Sequence, residues 1–106
     1  MARQIYTEKD WKLFRKYIAG WQDAYMERLN RKYIDLLSGD GKPSEKFWEL
    51  EGMIREDKKD TGVVCDMRRS QLLFNLADLL REEAITMDDL EEFSDELKDE
   101  LQLFCG

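Results

Sequence analysis

The sequence predicts an all-α fold: a small bundle of three to four helices that opens on a long one. Three observations point to it. Charged residues make up 39% of the 106, well above the usual quarter, and long solvated helix faces accommodate such a load most readily. One proline and six glycines are all that interrupt the chain. Its apolar residues recur at steps of three and four rather than two. A chain this short builds one core, so residues 1–106 are expected to form a single α-helical domain.

The first helix is expected over about 7–38. Thr7 followed by Asp10 resembles a capping box, with Asp in place of the preferred Glu or Gln. Trp11, Phe14, Ile18, Trp21, Tyr25, Leu29, Tyr33 and Leu36 then cluster within roughly 120° of one face. The phase does not slip at Gly20, which projects to the polar side, so one helix is expected and a kink at Gly20 is the alternative.

SGDGKPS, residues 38–44, is the clearest break, and Ser44 reads as the cap of a second helix over about 44–58. Phe47, Leu50 and Ile54 form its apolar stripe. Trp48 lies off that stripe, so it either packs a further partner or stands exposed. DTG at 60–62 is the next break, before a third helix over about 63–84. Its second half, LLFNLADLL, is apolar over nearly half its circumference, which suits a helix packed between neighbours. Arg68, Gln71, Asn75, Asp78 and Glu82 form its outer strip. Thr86 with Asp89 gives a second capping-box pattern and a fourth helix over about 87–104. Leu90, Phe93, Leu97, Leu101 and Phe104 make a narrow seam in it. Docking on its own bundle is the favoured reading of that seam; the alternative is a face that enters a groove or pairs with a copy of itself.

The formal charge is −7, with a pI near 4.7, which removes any global attraction to nucleic acid or anionic membrane. The charge is uneven: residues 1–34 hold eight Lys/Arg against four Asp/Glu, a net of +4, while residues 83–106 hold nine acids against Lys98, a net of −8. Contact between the two ends within one molecule is the plainer explanation, and head-to-tail contact between molecules the sharper one. The aromatic beat Tyr17, Trp21, Tyr25, Tyr33 shares the core stripe, so burial explains it; only Tyr17 falls at the edge, half exposed. As a DNA-reading pair the last two helices fail, because the fourth would present Asp88, Asp89, Glu91, Glu92, Asp95 and Glu96 to phosphates. Those acids lack the turn glycine of a calcium loop.

Enzyme chemistry finds little support. There is no histidine, Gly-rich phosphate loop, nucleophile motif or Cys/His metal spacing, so no catalytic residue, metal or cofactor is assigned. Cys65 and Cys105 are far apart and suit reduced thiols. The opening MARQIYTEKD has no apolar core of a signal peptide, and no apolar run reaches bilayer length, so a cytoplasmic location and no membrane partner are expected.

These readings converge on a non-enzymatic cytosolic protein–protein interaction module, an adaptor or small regulator that self-associates as a homodimer. The alternative is an acidic nucleic-acid mimic that occupies a basic groove of a partner. Nucleic-acid binding through the basic first helix ranks below both. Candidate partner contacts are Trp48, Tyr17, Arg68 and Arg69, with Leu97 and Leu101 if the fourth-helix seam faces outward.

Overall fold

Thr7 and Asp10 close a reciprocal cap in the computed structural model, which describes residues 6–105. The Asp10 N–H donates to the Thr7 hydroxyl at 3.1 Å, and the Thr7 N–H donates to the Asp10 carboxylate at 2.9 Å. From this cap α1 (Glu8–Ser38) runs as one helix of 31 residues, about 46 Å long at 1.5 Å each. It does not break at Gly20, which lies exposed with open space around it. The end of α1 is set by glycines: the Gly39 N–H donates to the Leu36 carbonyl, and Gly41 takes a φ of +134° that side chains resist.

α2 (Pro43–Asp57) starts one residue earlier than expected. Pro43, not Ser44, sets the start, because its fixed φ and missing N–H suit the first helical position; no side chain caps this end. The third helix departs further from expectation. Residues 58–63 form turns, 65–68 have no regular structure, and Arg69–Gln71 make a 3-10 turn before α3 (Leu72–Arg81) begins. Two causes are visible. Val63 and Val64 are β-branched and poor in helix. The Asp66 carboxylate accepts the Arg68 N–H at 3.1 Å, an Asx turn that diverts the backbone. The segment then lies over α3, where the Asn75 amide donates to the Asp66 carbonyl at 2.6 Å. Asn75 is therefore buried rather than on the outer strip, while Phe74 is 48% exposed.

The Thr86–Asp89 capping box forms, but it opens only the 3-10 turn Met87–Leu90. α4 (Asp95–Cys105) starts behind Ser94, whose hydroxyl accepts the Leu97 N–H at 3.3 Å.

These elements form an all-helical bundle, with no strand among the described residues. Its core sits at one end. Phe14 from α1, Leu72, Leu76 and Leu79 from α3, Leu90, and Leu97 and Leu101 from α4 are fully buried, with Trp11 and Ile18 beside them. The first half of α1 thus belongs to a closed body, while the second half extends beyond it as a hairpin with α2; the molecule measures 56 × 26 × 25 Å. Of the predicted aromatic stripe, Trp11 and Tyr25 are buried and Trp21 and Tyr33 half-buried.

Two contacts in this framework carry testable weight. Gly62 lies against the buried Tyr25 ring, and a Cβ there would stand 2.3 Å from it. Gly62→Ala is therefore expected to lower stability by about 1–3 kcal/mol, and Gly20→Ala to raise it by about 0.5–1 kcal/mol, both read by urea denaturation. Asp10 is 1% exposed and accepts from Ser94 N–H and Oγ–H at 2.8 and 2.6 Å. Burial pushes its carboxyl up, but the hydrogen bonds from Ser94 and Thr7 together outweigh it and hold the group below the usual aspartate range. A depressed folded-state value means that this stabilisation is present above the ordinary aspartate range and disappears as pH falls through the depressed value. Asp10→Asn should cost about 1.5–3 kcal/mol at neutral pH and make the stability-versus-pH curve shallower in that acid window.

Candidate functional site

The hairpin is held at its polar edges. The Lys46 ammonium donates to the Leu37 carbonyl at 3.2 Å, near the tip. The Tyr33 hydroxyl donates to Asp57, and the Tyr25 hydroxyl donates to Asp60 at 2.6 Å. At the base, the Gln22 amide donates to the Thr61 carbonyl at 3.1 Å. Burial, then the bond to Asp57, then the nearby carboxylate charges push the Tyr33 phenol up to about 12. Tyr25 is raised by burial first and the Asp60 bond second. Both phenols stay protonated donors near neutral pH.

Held this way, α2 fully buries none of its side chains, and Leu50, Met53 and Ile54 are half-buried. Phe47 is 62% and Trp48 66% exposed, and their rings meet edge to face with centroids 5.0 Å apart. Phe47, Leu50 and Ile54 line an open groove of about 370 Å3 along α2. Ile54 also lines a second hollow, of about 290 Å3, that crosses to Met26, Asn30 and Tyr33 of α1. Ile34 and Leu37 stand four and seven residues on from Asn30 and extend the same side of α1 toward the hairpin tip, 60% and 47% exposed. Ile54 thus joins the two hollows into one mainly apolar surface that reaches from α2 to α1. Of the charges near it, Glu51 pairs with Arg55 and Glu27 with Arg31, while Lys58 lines both hollows.

The structure separates the predicted contact residues. Trp48 lies exposed beside the face. Tyr17 is half-buried, stacks on Trp21 at 5.7 Å and donates to the Glu92 carboxylate at 2.5 Å; that bond, then burial, raises its pKa. Arg68 pairs with Asp66. Arg69 makes two hydrogen bonds to Glu8, at 2.6 and 2.7 Å, with its guanidinium 5.6 Å above the Trp11 ring. Leu97 and Leu101 are fully buried against α1 and α3, so at these positions the seam faces the core and not outward, whereas Phe104 at its end is 43% exposed.

Ile34 and Leu37 were missed. Their signal was present, as apolar residues off the core stripe in the last turns of a long helix. The two ends of the chain do meet within the molecule, through Tyr17–Glu92 and Asp10–Ser94.

Elsewhere, Asp88, Glu91, Asp95, Glu96 and Asp99 form an exposed acidic run. Burial first, then the charges of Asp66 and Glu82, push the Cys65 thiol up to about 11, so it is protonated at neutral pH. The side chain of Cys105 lies outside the described residues. Among the described residues, no cluster of three or more Cys, Asp or Glu is placed to hold a metal ion, and no helix is long and apolar enough to cross a membrane.

The division between body and hairpin has a mutational signature. Leu97→Ala or Leu101→Ala should cost about 2–5 kcal/mol in chemical denaturation, whereas Phe47→Ser or Trp48→Ser should stay within about 0.5 kcal/mol. No protein-family model, no curated protein and no solved structure matches this chain.

Proposed function

We propose that this protein is a cytosolic, non-enzymatic protein–protein interaction module, an adaptor or small regulator, and that the open face of the α1–α2 hairpin is its contact surface. One observation carries the reading: α2 holds Phe47 and Trp48 in solvent, and its other apolar side chains, Leu50, Met53 and Ile54, are only half-buried. Apolar area contributes about 25 cal/mol per Å2 when it leaves water, and α2 gains little of that within its own molecule. That gain is left for a partner. Large aromatic side chains at a surface are also the residues most often found to dominate binding energy. Tyr17 and Arg69 are instead committed to intramolecular contacts and rank below Trp48.

A second reading, occupation of a basic groove by the acidic run around α4, is favoured by the exposure of Asp88, Glu91, Asp95, Glu96 and Asp99. It ranks second because the neighbouring Asp89 and Glu92 are engaged by Thr86 and Tyr17.

A photoreactive benzoylphenylalanine at position 48 tests the proposed surface. Irradiation should give an adduct with a polypeptide, either another copy of the chain or a different protein, and Ile34→Asp should abolish it. Labelling at position 48 no stronger than at Leu103, which is exposed at the far end of α4, would remove the hairpin as the contact surface.

A further inference from the structure

We infer that the hairpin face is filled by the same face of a second copy, two hairpins closing into a four-helix bundle. This rests on the reading of that face as the contact surface and adds its occupant. Shape is the first argument. The apolar surface spans two helices: Ile54 joins Phe47 and Leu50 of α2 to Met26 and Tyr33 of α1, and helical spacing places Ile34 and Leu37 further along that side of α1. A single docked helix would cover the α2 groove or the hollow between α1 and α2, whereas a hairpin of equal width would cover both. Each strip then meets a strip of its own kind, the self-complementary contact that a two-fold axis requires.

Area is the second argument. The exposed fractions of Ile34, Leu37, Phe47 and Trp48 amount to roughly 500 Å2 of mainly apolar surface. Two copies would bury roughly 1,000 Å2 from these side chains alone. At the roughly two-thirds apolar share of homodimer interfaces this implies about 1,500 Å2 in total, the size of a stable protein–protein contact.

Charge is the third. Residues 22–60 carry ten Asp/Glu and eight Lys/Arg, a net of −2, and Glu51–Arg55 and Glu27–Arg31 are already paired. A strongly basic or acidic partner finds little to neutralise here, and a copy meets little repulsion. The hydroxyls of Tyr25 and Tyr33 already donate to Asp60 and Asp57, so pairing strands neither phenol.

Sedimentation equilibrium of the full chain from about 2 to about 200 µM decides the matter. The mass should rise with concentration from 12.7 kDa to twice that value. Phe47→Asp and Ile34→Asp should each weaken pairing at least ten-fold with helical circular dichroism unchanged, while Leu103→Asp leaves it as it was. A wild-type mass of 12.7 kDa throughout overturns the inference. So does a dimer indifferent to both hairpin substitutions. If the chain stays monomeric while the probe at position 48 labels a different protein, the second copy is wrong and the contact surface stands. If the probe labels nothing, both fall.

Discussion

The buried carboxylate of Asp10 is the constraint on which the rest of the architecture depends. It is 1% exposed and accepts three hydrogen bonds, from the Thr7 N–H, the Ser94 N–H and the Ser94 hydroxyl. An ionised carboxylate taken out of water costs several kcal/mol unless donors replace its hydration. Here the donors come from two places 84 residues apart: the cap of α1 and the residue just before α4. The N-terminal ends of both helices converge on one negative charge, and each favours it. With the start of α4 pinned there, Leu97 and Leu101 join Phe14, Ile18 and the α3 leucines in one core.

That core is too short for its longest helix. α1 spans about 46 Å, whereas α3 and α4, of 10 and 11 residues, reach about 15 Å each. The second half of α1 projects past them and takes α2 as its cover. Hydrogen bonds hold α2 beside a partial apolar contact with α1: Tyr25 to Asp60, Tyr33 to Asp57, and Lys46 to the Leu37 carbonyl. Each contributes about 0.5–1.5 kcal/mol net, against about 1.5–3 kcal/mol for one fully buried Leu or Phe.

How much of this was legible follows from the range of each signal. The fold class, the long first helix and the Thr7–Asp10 cap rest on periodicity and on contacts three residues apart, and a sequence displays both. The start of α3 did not, because Asp66 closes an Asx turn that only matters once Asn75 comes from nine residues away to hold the segment. Ser94 was overlooked as a cap because the Thr86–Asp89 pattern is stronger, yet its role is confirmed only by Asp10 at the other end of the chain. Burial of the α4 seam and exposure of α2 are one fact seen twice: which amphipathic helix gets covered depends on where the core sits, and α4 and α2 show similar stripes in sequence. Trp48 was readable as an outlier, since consecutive residues point about 100° apart on a helix and Phe47 already lies on the stripe. Ile34 and Leu37 were not singled out, because the same helix carries a longer and cleaner stripe.

The distribution of charge adds a last constraint on how such molecules meet. Residues 61–106 hold twelve Asp/Glu against four Lys/Arg, a net of −8, whereas the hairpin residues 22–60 come to −2. Electrostatic screening at physiological salt extends over about 8 Å, far less than the 56 Å length of the molecule. The two regions thus act almost independently. Residues 61–106 carry the excess of negative charge, whereas the hairpin is nearly neutral and apolar on one side. In the proposed pairing, like charge around α4 would disfavour contact there, and the apolar face of the hairpin would supply the attraction.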